Sequence, residues 1–309
     1  MVYTGAGDRM LGHHGLLHPA TADLAATVAP LISERLMRDQ PVLAVLPTTT
    51  TIRLRTQLPT LAGLHTTDPG ELYRHPGRVL AHYRAWISDT SQDGEPVTIV
   101  AAPDPRHDDM HRAALWMHVE AVTTLALAER ALTLVCVYPD DVGTADTVRC
   151  VHPSLLNGMA SPNPDHLPAE QFLARYPLPP PIALAEPDFI HAIGHFAQLS
   201  RLRQVVAGYL IRAGLPAARQ ADFMLAISEI ATNALEHGVP PAVLRLWTTS
   251  TSVICQITDT GQCIAPLAGL LPPPTTQRRG RGLWMAHQLC DQFYLWPHPT
   301  TVRLQMDRS

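Results

Sequence analysis

A proline-rich stretch near the middle of the chain separates two segments with different patterns. Prolines fall at positions 153, 162, 164, 168, 177, 179–181 and 187. Proline lacks a backbone N–H and fixes φ, so a stretch this dense interrupts helices and sheet interiors. We therefore predict two domains, residues 1–152 and 190–309, joined over residues 153–189 by a linker or an ordered but irregular connector.

The first segment alternates short apolar runs with helix-like stretches. This order is typical of an α/β domain with a mostly parallel sheet, whose strands are buried on both faces. The predicted strands are residues 41–47, 96–103 and 132–139. The predicted helices are residues 22–39, 78–88 and 111–130.

The second segment has a different element order. Two helical stretches, residues 199–213 and 217–237, are separated by Gly214, which can end a helix, and Pro216, which suits a first helical turn. Two alternating strands, a loop, a short helix and two more strands follow. We expect an α+β two-layer domain with its helices on one face of the sheet.

Composition excludes several classes of function. The chain has no lysine, so a Walker A phosphate loop is excluded, and its net charge of −4 gives no footprint for direct nucleic-acid binding. No apolar run approaches the roughly 20 residues of a membrane span, and the N-terminus lacks the features of a signal peptide. We expect a cytoplasmic protein without membrane contact.

Cysteine and histidine spacing gives little sign of a metal site. The five cysteines form no CxxC pair, which fits neither a disulfide framework nor a zinc site and favours reduced structural thiols. Two groups of neighbouring histidines would suit a metal, but a lysine-free chain with 16 histidines readily places them on its surface. These groups are His13, His14 and His18, and His107 with His111.

The stretch "LAISEIATNALEHG" sets Glu229, Asn233 and His237 four residues apart. On a helix, Glu229 and Asn233 then project in nearly the same direction. A carboxylate beside an amide oxygen suits Mg²⁺, and the carboxylate can act as a general base toward a hydroxyl or water. Taken alone, this spacing is equally typical of a solvated helix face.

Two later motifs favour a functional interpretation of that helix. Asp259 and Gly261 follow an alternating strand, which offers an acceptor for an adenine amino group beside a flexible glycine. Gly280 and Gly282 then open a helix whose free N–H groups favour phosphate oxygens. Each motif alone is also typical of a turn or a helix cap.

Nearby arginines would add positive charge at the second glycine pair. Arg278, Arg279 and Arg281 surround Gly280. A solvated loop remains the alternative interpretation for these side chains.

In this order, the three motifs resemble the GHKL (Bergerat) ATP-binding fold over about residues 190–305. The matching residues are Glu229, Asn233, His237, Gly238, Asp259, Gly261, Gly280, Gly282 and Leu283. The resemblance implies ATP and Mg²⁺ as cofactors, Glu229 as catalytic base, Asn233 as Mg²⁺ ligand and Asp259 as adenine contact. The glycines would form the floor and hinge of a short ATP lid, and His237 would support the site, cap the helix or pack in the core.

The compact ATP domain and "GRGLWMAHQLCD" are similar to the anti-sigma-factor serine kinases of the RsbW type. This resemblance implies a sigma factor or a STAS-domain antagonist as partner, phosphorylation of a Ser or Thr on that antagonist, and a possible homodimer. A non-catalytic ATP-binding interaction protein is one alternative. An atypical histidine kinase is another, although His191 and His195 precede the first ATP-domain helix too closely for a phosphoacceptor hairpin.

Residues 12–151 resemble the MEDS sensory domain, named from methanogens, methylotrophs and the regulator DcmR. The resemblance rests on "HHGLLHPATADLAATVAPLISERLMRDQPVLAVLP", on "GELYRHPGRVLAHYRAWI" and on polar landmarks at Glu120, Tyr138 and Asp140. It implies a degenerate RecA-like core without nucleotide hydrolysis, which would sense a signal and control the ATP domain.

Overall fold

The computed structural model describes residues 11–19, 21–91, 94–103, 109–140, 145–263, 265–273 and 280–308. The chain divides into two compact units: the main boundary follows Arg175, and residues 75–77 group with the second unit. Within the described residues, no helix has the length and apolar character needed to cross a bilayer.

The first unit alternates strands and helices, as its apolar pattern predicts. Its strands are β1 Gly12–His18, β2 Val42–Val45, β3 Leu64–Thr67, β4 Val97–Ala101, β5 Leu132–Pro139, β6 Ser154–Asn157 and β7 Met159–Pro162. Its helices are α1 Leu24–Leu36, α2 Thr48–Arg55, α3 Pro69–Leu72, α4 Pro76–Thr90, α5 Met110–Leu127, α6 Ala145–Val151 and α7 Ala169–Arg175.

The strands of the first unit form one sheet in the order β3-β2-β4-β5-β1-β6-β7. All neighbours are parallel except β6 and β7, which form an antiparallel pair at the edge. The predicted mostly parallel sheet is thus confirmed. Strands β2 and β4 are buried at every position, because helices cover the faces of a parallel sheet and leave little room for polar side chains.

Three parts of this sheet differ from the sequence prediction. Strand β1 lies between β5 and β6, and strand β3 lies at the opposite edge from β7, although no strand is predicted at either place. Strands β6 and β7 and helix α7 lie within the stretch predicted as a linker, residues 153–189. Pro153 lies just before β6, and Pro162 is the last residue of the edge strand β7; both are positions where a proline interrupts little of the hydrogen bonding of a sheet.

The second unit contains an antiparallel sheet in the order β11-β12-β10-β9-β8, with helices packed against it. Its strands are β8 Phe189–Ile193, β9 Ala242–Thr248, β10 Ser252–Thr258, β11 Gln292–Pro297 and β12 Thr300–Asp307. Its helices are α8 Leu199–Arg212, α9 Ala217–Glu236 and α10 Gly282–Leu289, with a 3₁₀ turn at Phe196–Gln198. The α+β fold class is confirmed.

Helix α9 is central to the core of the second unit. Phe223, Ile227, Ile230 and Ala234 follow the spacing of one helix face and are all buried. Alternate side chains of β10 meet the same core, as its period of two requires. The opposite side of α9 is therefore left for polar residues.

The turn between α8 and α9 uses Gly214 and Pro216 as predicted, except that the proline lies one position earlier relative to the helix. Gly214 has a φ of +72°, the left-handed conformation in which a glycine ends a helix. Pro216 lies at the N-cap of α9, one position before the predicted first turn.

Candidate nucleotide site

Glu229 and Asn233 lie one turn apart on the half-buried polar side of α9. Both reach toward Gly282, the first residue of α10. A Cβ atom at Gly282 would lie 2.5 Å from Oε2 of Glu229 and 3.4 Å from Nδ2 of Asn233. The structure therefore brings the predicted carboxylate and amide to the helix start where phosphate oxygens are expected.

Asp259 is buried at the end of β10 and is held by two backbone N–H groups. Its Oδ1 atom accepts hydrogen bonds from the N–H of Val239 at 3.1 Å and of Gly261 at 2.7 Å. These bonds fix the carboxylate between the end of α9 and the turn after β10. Oδ2 of the same carboxylate points toward Gly238, where a Cβ atom would stand only 2.6 Å away.

Gly238 also packs against the last turn of α9. A Cβ atom there would lie 2.6 Å from the carbonyl oxygen of Ala234, too close for any side chain without a backbone shift. Gly238 is required for its small size, since its φ does not lie in the left-handed region.

A cavity of about 630 Å³ opens beside these residues. Its wall includes Asn233, Gly238, Asp259, Gly280 and Leu283 from the three predicted motifs. Apolar walls come from Ile257, Leu295 and Val302. The volume and the mixture of apolar walls with a few fixed polar groups are typical of a small-molecule site. Glu229 stands next to this cavity, at its Gly282 side.

His237 ends α9 through its backbone. Its N–H donates to the carbonyl of Asn233 at 2.8 Å, while its side chain is 76% exposed. The interpretation of His237 as a core residue is therefore wrong, because the chain leaves the helix here and the ring points to solvent. Its imidazole stands at the cavity edge.

The loop before α10 is tied to that helix by His287, a residue the sequence analysis does not single out. Nδ1 of His287 donates to the carbonyl oxygen of Gly269 at 2.9 Å, and burial lowers the pKa of the ring to about 4. Gly269 has a φ of +76° and packs against Leu283. A buried histidine on an apolar helix face carries no signal of this bond in the sequence.

The structure describes one of the three arginines around the second glycine pair. Arg281 is the exposed N-cap residue of α10, and Gly280 before it has a φ of +79°. Arg278 and Arg279 lie outside the described residues, so their predicted contribution stays a prediction.

The histidines considered as phosphoacceptors have structural positions. His191 lies on the edge strand β8, and His195 caps the 3₁₀ turn that follows it. The Oε1 atom of Gln198 accepts from the N–H groups of Gly194 and His195. Neither histidine lies on a helical hairpin.

The first of the two histidine groups that the sequence suggests does not come together, and the second, His107 with His111, stays a prediction. His13 and His14 are consecutive in β1, so their side chains leave opposite faces of the sheet, and His18 follows the direction of His14. His107 lies outside the described residues. A metal site built from His13, His14 and His18 is therefore wrong.

Comparison with known families agrees with this geometry. Residues 195–306 match the family model described as a histidine kinase-like ATPase domain. The fold, the three motifs and this match make the second unit a GHKL-type ATPase domain.

The first unit has a separate match. Residues 12–153 match the MEDS family, described as the methanogen/methylotroph, DcmR sensory domain. The chain is thus a MEDS domain fused to a histidine kinase-like ATPase domain.

Among solved structures, the RsbU and RsbW domains of Rv1364c from Mycobacterium tuberculosis match with 21% sequence identity and a TM-score of 0.30. The match covers 41% of this chain and 34% of that chain, so this protein spans about a third of the matched structure's length. No curated protein matches the chain.

Proposed function

We propose that this protein is an ATP-dependent regulatory switch, in which the second unit binds Mg-ATP and phosphorylates a Ser or Thr of a protein partner. The observation that carries the proposal is the convergence of Glu229 and Asn233 on Gly282, beside a cavity that contains the fixed carboxylate of Asp259. The proposed adenine acceptor Asp259, the Mg²⁺ ligand Asn233 and the base Glu229 then lie around the start of α10 in one site.

The residues present fit a nucleotide and Mg²⁺. Oδ2 of Asp259 offers an acceptor to the adenine amino group, since both backbone bonds to this carboxylate use Oδ1. The first N–H groups of α10 offer donors to phosphate oxygens. Asn233 supplies the hard oxygen that Mg²⁺ prefers, and the bound ion would neutralise charge on the phosphates during transfer.

Glu229 is proposed as the general base. Its carboxylate stands beside the start of α10, where it can accept the proton of an attacking hydroxyl group. The absence of a side chain at Gly282 keeps the approach to this carboxylate open. The same geometry would orient a water molecule, so the bound partner has to supply the hydroxyl and exclude water for kinase action to dominate.

The proposed partners come from the sequence resemblance to anti-sigma-factor kinases. A STAS-domain antagonist would be the phosphorylated protein, and a sigma factor the protein released or sequestered. We propose that the MEDS domain controls this exchange in the cytoplasm, and that a homodimer is the working form.

The test compares wild type with Glu229→Gln in two measurements. Calorimetry with Mg-ATP should give dissociation constants that agree within about twofold, because a neutral amide keeps the shape of the site. Transfer of radiolabelled phosphate to a cognate STAS protein should fall by roughly 10²- to 10⁴-fold, the usual contribution of a general base. Glu170→Gln, an exposed residue on α7, is the matched control and should change neither value.

The other outcomes separate the alternatives. No Mg-ATP binding by the wild type would contradict the whole proposal. Binding without any label transfer would indicate an interaction protein in which ATP only shapes a surface. Acid-labile, base-stable phosphate on the chain itself would indicate a histidine kinase.

A further inference from the structure

Four ligand-type side chains meet in the core of the first unit. His13, Glu120, Cys136 and His152 are all buried, and one donor atom of each lies within 4.8 Å of the other three. The polar atoms of such a cluster need partners, because burying an unpaired charge or lone pair in an apolar core is costly. We call these four residues the buried quartet.

The topology of the sheet places two members of the quartet on one face. Strands β1 and β5 are parallel, and His13 is paired with Leu134, two residues before Cys136. Side chains two residues apart in a strand share a face, so the imidazole and the thiol point the same way. Nε2 of His13 lies 3.6 Å from Sγ of Cys136.

The other two members come from the helical layer. Glu120 is on α5, one turn before Thr124, so both side chains face β1. Oγ1 of Thr124 is 2.9 Å from Nδ1 of His13. His152 directly follows α6 and reaches the same carboxylate from the other side.

The hydrogen bonds of His152 determine where its proton is. Nδ1 lies 2.6 Å from the carbonyl oxygen of Val148, which can only accept, so Nδ1 carries the proton. In the neutral ring, Nε2 then presents a lone pair. That lone pair faces Oε1 of Glu120 at 3.1 Å, which leaves two acceptors opposite each other unless a cation joins them.

His13 contacts the same carboxylate, but its tautomer is not fixed in this way. Its Nδ1 contacts Oγ1 of Thr124, which can donate or accept, and its Nε2 lies 3.3 Å from the same Oε1 atom of Glu120. Two Nε2 atoms therefore converge on one carboxylate oxygen. A ligating histidine typically has its other ring nitrogen bonded in this way.

Three of the six separations within the quartet match a tetrahedral metal centre. With zinc-to-nitrogen and zinc-to-oxygen bonds of about 2.0 Å, neighbouring ligand atoms are about 3.3 Å apart, and with a sulfur bond of about 2.3 Å the nitrogen-to-sulfur edge is about 3.5 Å. The three observed edges are 3.1, 3.3 and 3.6 Å, and the other three are no longer than 4.8 Å, so the ligands have to move inward slightly as the ion binds.

Charge and donor type select the ion. A divalent cation with one carboxylate, one thiolate and two neutral imidazoles has no net charge, which suits a buried position. Imidazole and thiolate donors favour zinc-class transition metals over Mg²⁺ or Ca²⁺. We propose that the buried quartet binds one divalent transition-metal ion of the zinc class, as a closed site with four protein ligands.

Metal binding at this site releases protons. The Cys136 thiol loses its proton as the sulfur-to-metal bond forms, and any proton on Nε2 of His152 leaves for solvent as well. A proton on Nε2 of His152 competes with the metal ion for this position. A charged His152 paired with Glu120 would satisfy both side chains without a metal.

Metal content and affinity of the full chain test the proposal. Protein purified without a metal-binding tag should contain about one zinc per chain, and Cys136→Ser should weaken zinc binding by at least about 100-fold in competition with a chromogenic chelator. Cys255→Ser, also a buried thiol, and Cys263→Ser, the more accessible one, are controls and should bind zinc like the wild type. Far-UV circular dichroism and thermal unfolding of each variant check that both units are folded.

A measurement on the wild type decides the matter if Cys136→Ser does not fold. Cobalt added to the metal-free chain should give one equivalent of a tetrahedral spectrum with a thiolate charge-transfer band, and the Cys263→Ser chain should keep it. The proposal is overturned if metal-free wild type binds neither zinc nor cobalt stoichiometrically, or if the cobalt spectrum lacks the thiolate band. The first result would leave the proton as the occupant, and the second would show that Cys136 is not a ligand.

Discussion

The two units place their chemically active side chains in opposite environments. In the second unit, Glu229 and Asn233 are half-buried beside an open cavity, where solvent or a nucleotide can satisfy them. In the first unit, the polar atoms of the buried quartet have only each other and a few hydrogen-bond partners. An open site can exist without its ligand, whereas a closed polar cluster must be complete to be stable.

The two sites also differ in how the chain assembles them. Glu229 and Asn233 are neighbours on one helix, while Glu120 lies 107 positions from His13. The first arrangement needs only a local fold, and the second needs a finished sheet. The following three predictions test this contrast between an open and a closed site, from the largest expected effect to the smallest.

Acidification should destabilise the second unit through His287. The pKa of this buried ring is about 4 in the folded state against 6.5 for the ordinary group, so the folded state binds fewer protons between these values. Stability is therefore full above pH 6.5 and falls as the pH drops toward 4, by roughly 3 kcal/mol for this group.

Urea unfolding at pH 7 and at pH 4.5 measures the effect of His287. His287→Asn keeps a donor for the carbonyl of Gly269 but cannot titrate, so its loss of stability over this interval should be smaller than that of the wild type. Equal losses in the two proteins would contradict the assignment of a buried, neutral imidazole.

Asp259→Asn should weaken nucleotide binding without unfolding the second unit. The amide oxygen can still accept from Val239 and Gly261, but an NH₂ group replaces Oδ2 and opposes the adenine amino group. An unmatched donor costs about 2 kcal/mol, so calorimetry should show affinity for Mg-ATP reduced by roughly 30-fold. Asp222→Asn, on α9, is the control, and an unchanged affinity in Asp259→Asn would remove the adenine role.

Thr124→Val should weaken metal binding in the first unit about tenfold, the lower end of the effect expected for a residue that orients a ligand. Valine keeps the shape of threonine but removes the Oγ1 atom that contacts Nδ1 of His13. Thr123→Val is the matched control, because Oγ1 of Thr123 donates to the carbonyl of Val119 instead. Equal zinc affinities in the two variants would contradict the positioning role of Thr124.

The open site was largely predictable because its signals are local. A four-residue spacing places Glu229 and Asn233 together on any helix, and the end of an alternating strand places Asp259. The contact of both helix residues with Gly282 required the packing of α9 on α10. The bond from His287 to Gly269 had no sequence signal, because a buried histidine looks like any other.

The closed site was not predictable for the complementary reason. Cys136 was judged a structural thiol because it has no CxxC partner, and its nearest ligand atom belongs to a residue 123 positions away. His13 was grouped with His14 and His18 because they are close in sequence, although a strand sends neighbours to opposite faces. Glu120 was noted only as a polar landmark of the MEDS resemblance.

Parts of the fold were also missed, because their local sequence does not show the expected pattern. Strand β1, "GHHGLLH", was missed because glycine and histidine obscure its apolar pattern. Strands β6 and β7 were hidden by the prolines that suggested a linker. Long apolar runs such as β5 were found, since complete burial leaves a continuous hydrophobic stretch.

The position of β1 has a consequence for the order of synthesis. Among the described strands of this sheet, β1 comes earliest in the sequence, and it is held between β5 and β6, which come near the end of the first unit. A ribosome must therefore release residues as far as Asn157 before β1 has both neighbours, and such non-local closure is slow. His152 leaves the ribosome just before β6, so the buried quartet also becomes complete only near the end of the synthesis of the first unit.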